Sequence, residues 1–342
     1  MDFSSIFNSK LINYLFIFNL SIVFFAIFFL VRTKINHPFF LKVSDHTYHT
    51  NKVFNNAGLL LIIIFLFNNI LVYYYAEEFS ELFTIYSSRY YLFLISIFFL
   101  FLISILDEFI QINPTIRLIF QITICYLSLP IFKFPIFEFL PQKLELLIIV
   151  YFFVLIINTN NFIDGSDGVM SVSSLTIYLG ILIFSYLENQ VYPATLISII
   201  MLSLILPFLL FNWPKAKIFL GDTGSIPIGF INGYLIIFLA QIDYIFFGII
   251  LFLYPLVDVN LTLLRKTLNG IAPWARLFDY FFLAPTLIGG MSHLYVLKRI
   301  IFISLINLIL AFFYYIYNNN IFFLIAFIPN IYLIFLFNKF RK

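Results

Sequence analysis

The chain has 342 residues, 63% of them hydrophobic and 10% charged, with a net charge of +3 and a mean hydropathy of +1.06. Soluble domains carry about a quarter charged residues, so this composition excludes an ordinary soluble enzyme and describes an all-α, polytopic helical membrane protein. The single cysteine, Cys125, lies in an apolar run; it excludes an intrachain disulfide and reads as a packing residue.

Apolar runs long enough to cross about 30 Å of hydrocarbon recur along the whole chain. They predict eleven spans, at 11–31, 58–76, 90–106, 115–132, 144–160, 169–187, 192–211, 226–240, 244–264, 294–317 and 320–337. The first run is too long for a secretory apolar region and lacks a small-residue cleavage site, so it reads as a retained helix. No repeat and no separate soluble stretch interrupts the series, and residues 1–342 read as one integral membrane domain. With the amino terminus outside, 15 of the 19 Lys and Arg residues fall in inner loops or the tail. The positive-inside rule therefore predicts an outer amino terminus and a cytoplasmic carboxyl terminus.

The acids sort by the same arithmetic. Glu77, Glu78, Glu81, Glu138, Glu145, Glu188 and Asp243 fall outside, lack flanking glycines, and read as solvated positions. The inner loops differ in kind. The first carries His37, His46, His49 and Lys52 at spacings that fit no closed zinc site. The second places Asp107 and Glu108 at a helix end, where the helix dipole disfavours them, followed by Pro114, Arg117 and Gln121. Either a cation sits there, one acid is protonated, or both face water.

The third reads N-T-N-N-F-I-D-G-S-D-G over 158–168. Asp164 and Asp167 are each followed by a glycine that lets backbone approach a ligand, and Asn158, Asn160 and Asn161 offer amides. The fourth, F-N-W-P-K-A-K-I-F-L-G-D-T-G-S, sets Asp222 between glycines with Lys217 nearby. Ser225 there is expected to cap a helix ahead of Pro227. The last inner segment adds Arg276, Asp279, His293 and Lys298.

Taken singly these are a polar turn, a solvated helix end, a capping turn and an interfacial histidine. Together, on one membrane face, they describe a magnesium–diphosphate site beside lipid: a helix start is an anion site, and a carboxylate within it implies a divalent cation shared with that anion. The chemistry inferred is phosphoryl transfer.

At these residues the chain resembles the polyprenyl-phosphate N-acetylhexosamine-1-phosphate transferases (glycosyltransferase family 4), the superfamily that contains phospho-MurNAc-pentapeptide translocase. N-F-I-D-G-S-D-G-V and F-N-W-P-x-A-K-I-F-L-G-D-T-G-S match closely, and L-D-E-F…P-x-x-R-L-x-x-Q matches with Glu108 in place of a second Asp. H-T-N-K-V-F-N-N-A-G and D-V-N-L-T-L-L-R-K are further, looser matches. The family's H-x-H-H ending is absent: S-H-L-Y leaves His293 alone.

The resemblance implies transfer of a sugar-1-phosphate from a UDP-sugar to polyprenyl (undecaprenyl) phosphate with release of UMP, at the cytoplasmic face of a bacterial inner membrane. It implies Mg2+, or Mn2+ in its place, at Asp222. Asp107, Glu108, Asp164 and Asp167 would be catalytic, with Asn161, Asn212, Lys217, Lys52, Arg276, His293 and Lys298 binding substrate. Membrane lipids are expected partners, nucleic acid is not, and a homodimer is left open. Two other readings stand beside it. A transporter would carry charges at mid-span, and a non-catalytic relative would bind lipid without releasing UMP.

Overall fold

The computed structural model describes residues 2–33, 54–75, 80–272 and 280–341, with side chains except at 7 and 80–88. Lys52, Arg276, Asp279, His37, His46 and His49 lie outside the described residues. In chain order the long helices are α1 (Lys10–Thr33), α2 (Ala57–Tyr75), α3 (Ser80–Ile110), α4 (Pro114–Ser128), α5 (Gln142–Ile163) and α6 (Val169–Leu187). They continue as α7 (Pro193–Asn212), α8 (Asp222–Gln241), α9 (Ile245–Leu251), α10 (Leu253–Leu268), α11 (His293–Tyr317) and α12 (Ile321–Asn338). Among the described residues no strand forms, and one parallel bridge joins Phe54 to Ile218.

The bundle is organised around α8, whose apolar window is buried along its whole length. It packs against α5, α3, α9 and α2. Lipid is as apolar as leucine, so helices associate in membranes by close packing and polar contacts. Both appear on α8. Gly229 and Gly233, four residues apart, let α5 approach: a Cβ on Gly229 would stand 2.8 Å from Ile157 Cα, and one on Gly233 2.4 Å from the Phe153 ring. Beside them Asn232 Nδ2 donates to Asn160 Oδ1 (3.0 Å) and Ser174 Oγ (2.9 Å), tying α8 to α5 and α6. A second buried chain, Asn68 to Asn19 (2.8 Å) and Asn19 to Ser203 (3.0 Å), joins α2, α1 and α7. The perimeter is apolar, as at Phe25 and Phe29 of α1, where lipid meets it.

Two expectations change. The predicted span 244–264 is broken: α9 and α10 meet at Phe252 with a bend of 76°. Pro255 lacks the N–H for Leu251 and its ring clashes with that carbonyl, which interrupts the helix there. Taken as one bent span, the pair is still long and apolar enough to cross. α8 starts at Asp222 and ends at the opposite face, whereas α11 starts at His293, in contact with Ser166 back on the first face. Among the described residues, α9 and α10 together are the helices between them long and apolar enough to make the return. Ten helices among the described residues, or eleven spans with the bent pair counted as one, are long and apolar enough to cross a membrane, and the carboxyl end packs Phe340 against Tyr295 near the start of α11.

Glu145 is not solvated. It is fully buried in the first turn of α5, where its Oε1 accepts from the N–H groups of Ile136 (2.6 Å) and Phe137 (2.8 Å). The positive end of the helix dipole favours an acid at that position.

Candidate active site

α3 runs through Ile110, so Asp107 and Glu108 lie on its final turn. Asp107 Oδ1 accepts from Ile112 N (2.7 Å), and Oδ2 from Arg117 Nη1 (2.9 Å). Asn113 caps α4 by accepting from Thr115 N (2.9 Å), with Pro114 at the first helical position, which aims Arg117 back at the turn. The same Nη1 donates to Asp222 Oδ2 at 2.5 Å. Asp107 and Arg117 side chains are 14% and 16% exposed and Asp222 33%, so this bridge is partly withdrawn from water. It answers the helix-end question: a cation from α4 neutralises Asp107.

The D-G-x-D-G segment forms the turn between α5 and α6. Asp164 caps the end of α5. Desolvation, and secondly the Asp222 carboxylate, push its pKa well above the ordinary aspartate value, offset in part by the Gly221 N–H it accepts. Asp167 faces inward, 2% exposed, and its Oδ2 accepts from Ala216 N (3.1 Å). Asn212 spans the same gap, accepting from Gly168 N and donating to Ile218 O, both at 2.9 Å. Asp167 and Asn212 therefore lock the turn to the strip that leads into α8. That strip also pairs with the start of α2, through Ala57 N to Phe219 O (3.0 Å) and Gly58 N to Leu220 O (2.9 Å). Gly221, at φ 73°, ends it; a Cβ there would stand 2.3 Å from Asn56 Oδ1.

Ser225 is not the helix cap. α8 begins at Asp222 with Gly221 in the capping position, because the positive φ at Gly221 turns the chain four residues earlier than a cap at Ser225 would. The Thr223 and Ser225 hydroxyls are buried without hydrogen-bond partners among the described residues. Two of the three amides of 158–161 are turned into the bundle: Asn158 donates to Gln121 Oε1 (2.8 Å) and Asn160 to Ser225 O (2.8 Å). Asn161 is left half-buried beside the turn.

His293 opens α11, capped by Ser292, and its Nδ1 lies 3.3 Å from Ser166 Oγ. Glu108 is half-buried, and Lys217 and Lys298 are exposed. The chain leading to His293 is held by Asp258 of α10. That buried carboxylate accepts from Phe281 N and Phe282 N (3.0 Å each) and from Tyr254 OH (2.9 Å). Sequence reasoning left out Arg117 and Asp258 as site residues. Their signals were present: an arginine ten residues after an interfacial acid, and a tyrosine four residues before an acid on one helix face.

Among the described residues no group of three or more His, Cys, Asp or Glu converges on a metal position. Magnesium does not require one, since it is commonly held by one or two carboxylates with phosphate oxygens and water. Asp222 and Asp164 are near enough for one charge to oppose the other, and two orphaned hydroxyls stand at the same helix start. This oxygen-only donor set fits magnesium.

Residues 90–240 match the family model described as glycosyl transferase family 4. This segment belongs to that family. It takes in Asp107, Arg117, Asp164, Asp167, Asn212 and Asp222, and stops before His293. Among curated relatives, a decaprenyl-phosphate N-acetylglucosaminephosphotransferase of Mycolicibacterium smegmatis is 38% identical over 101 residues, 28% of this chain and 25% of the relative. A phospho-N-acetylmuramoyl-pentapeptide-transferase of Leuconostoc mesenteroides is 38% identical over 74 residues, 21% and 22% of the two chains. One of Streptococcus mutans is 33% identical over 102 residues, 30% and 29%. The matched stretch thus spans about a quarter of the length of these relatives.

Proposed function

We propose that the chain transfers a sugar-1-phosphate, of N-acetylhexosamine type, from a UDP-sugar to polyprenyl (undecaprenyl) phosphate and releases UMP. The observation that carries this reading is the convergence of acids 115 residues apart in sequence. Asp107 and Asp222 share one arginine nitrogen, and Asp164 lies within the field of Asp222. Such a cluster, at the end of apolar helices and opening on one membrane face, suits an anionic headgroup that arrives with its tail in lipid.

In the reaction an oxygen of the lipid phosphate attacks the β-phosphorus of the donor. The bond from that phosphorus to the bridging oxygen breaks, and its electron pair leaves with UMP. A phosphate monoester with a second pKa near 6 is already anionic at neutral pH, so positioning and charge neutralisation carry the catalysis. A magnesium ion at Asp222 would supply that neutralisation. Asp107, supported by Glu108, orients the lipid phosphate; Asp164 and Asn161 face the nucleotide; Asp167 and Asn212 hold their turn in place. Lys217, Lys298 and His293, with Lys52 and Arg276, bind phosphate oxygens. The active face is cytoplasmic in a bacterial inner membrane, by the distribution of basic residues, and the product would initiate a cell-envelope glycan such as an O-antigen or capsule.

The test is UMP release by the purified chain from a panel of UDP-N-acetylsugars, with undecaprenyl phosphate and Mg2+. Release should depend on lipid and metal, and Asp222→Ala should lower it by at least about 10²-fold, the scale of one strong electrostatic contact. No release with any donor, while lipid binding persists, would sink the enzyme and leave a lipid-binding relative.

A further inference from the structure

Arg117 stands where a cation would. A single nitrogen, Nη1, lies 2.9 Å from Asp107 Oδ2 and 2.5 Å from Asp222 Oδ2, joining α3 and α4 to α8. Guanidinium stays charged at every accessible pH, so in the ligand-free protein this bridge neutralises two acids that would otherwise repel. The oxygen it bonds on Asp222 belongs to the carboxylate best placed to hold a divalent ion at the start of α8. Two cations on one oxygen repel, and the bridge is partly desolvated, which strengthens that repulsion.

We infer that Arg117 is a latch that competes with the divalent cation for Asp222. This rests on the reading of Asp222 as a metal ligand. The bridge holds metal affinity down until an anionic donor offers the guanidinium new oxygens. Arg117 then keeps Asp107, releases Asp222, and turns a free neutraliser into a phosphate-binding group. Metal and donor consequently bind cooperatively, each removing a barrier to the other. On the metal Arg117 acts only through Asp222, and it touches the donor only once that oxygen is released.

The experiment titrates Mn2+ into the purified full-length chain without donor, read by electron paramagnetic resonance, so no turnover is needed. Arg117→Gln and Arg117→Met should bind Mn2+ about tenfold more tightly than wild type, equal to about 1.4 kcal/mol. Arg117→Lys, which keeps the charge, should stay near wild type. Lys215→Gln removes an exposed cation outside the bridge and should change affinity less than about twofold, the small effect expected of a solvated charge. Asp222→Asn should abolish the tight site in either background.

Should both neutral variants misfold, hydrogen exchange in the wild type decides. Mn2+ added with UMP should speed exchange at residues 108–113, because the tie from their turn to α8 is released. Unchanged or weaker Mn2+ binding in the neutral variants, equal tightening by Lys215→Gln, slower exchange, or no Mn2+ binding in any variant overturns the latch. Loss of UMP release with the Mn2+ pattern intact would overturn the transferase reading alone.

Discussion

Asp164 carries its charge against its surroundings. Burial and the Asp222 carboxylate raise its folded pKa above the unfolded value, near 3.9 for an aspartate. A raised carboxylate pKa means the folded state holds the proton more readily than the unfolded one. This group therefore exacts nothing below pH 4 and destabilises the ligand-free protein increasingly as pH rises through the folded pKa. Asp164→Asn should melt higher than wild type at pH 7 without metal, and the two curves should converge toward pH 4. Coincident melting temperatures from pH 4 to 8 would contradict this. Activity should fall in the same variant, a stability gain at a functional position. Asn212 behaves oppositely. Asn212→Ala strands the Gly168 N–H and the Ile218 carbonyl, so stability should drop by roughly 2–6 kcal/mol at about 1–3 per buried unpaired group, seen as a lower melting temperature in detergent. These roles show how far residue identity was readable. The D-G-x-D-G and G-D-T-G-S strings marked the candidate site, but not which acids face inward. That depends on the direction each turn gives its side chain.

At the level of elements, α5 against α8 is the contact that sets the distance between the two acidic turns. Its glycines make different predictions. A Cβ at Gly229 meets the backbone of Ile157, which cannot rotate away, while one at Gly233 meets a Phe153 ring that can shift. Gly229→Ala should therefore destabilise by about 1–3 kcal/mol, the usual scale of overpacking, and Gly233→Ala by less, both read as unfolding free energy in mixed micelles. Equal effects would place the limiting contact elsewhere. Apolar run length was enough to find each helix of the bundle. The break at Phe252 was hidden because hydropathy passes through it without change; only the proline at 255 signalled it. The start of α8 was misplaced for a related reason. Capping statistics favoured Ser225, while the positive φ at Gly221, imposed by the close approach of Asn56, turned the chain earlier.

For the molecule as a whole, counting the bent α9–α10 pair as one span gives eleven candidate crossings among the described residues, which would place the chain ends on opposite faces. Cysteines introduced at Ser4 and Lys339 should accordingly react with a membrane-impermeant maleimide from opposite sides of sealed vesicles, Lys339→Cys from the cytoplasmic side. Buried Cys125 should stay silent. Labelling of both from one side would mean that α9 and α10 turn back within the membrane. The sequence by itself determined the membrane class, the positions of the apolar spans, the sidedness expected from Lys and Arg, and which loops hold the acids, because hydrocarbon thickness and loop charge act on short stretches of chain. Tertiary structure alone decided that Arg117 bridges Asp107 to Asp222, that Asp167, Asn212 and Asp258 hold loops in place, and that Glu145 is buried. Those facts depend on distances between segments up to 105 residues apart, set by how closely the helices pack around α8, and no local pattern encodes them.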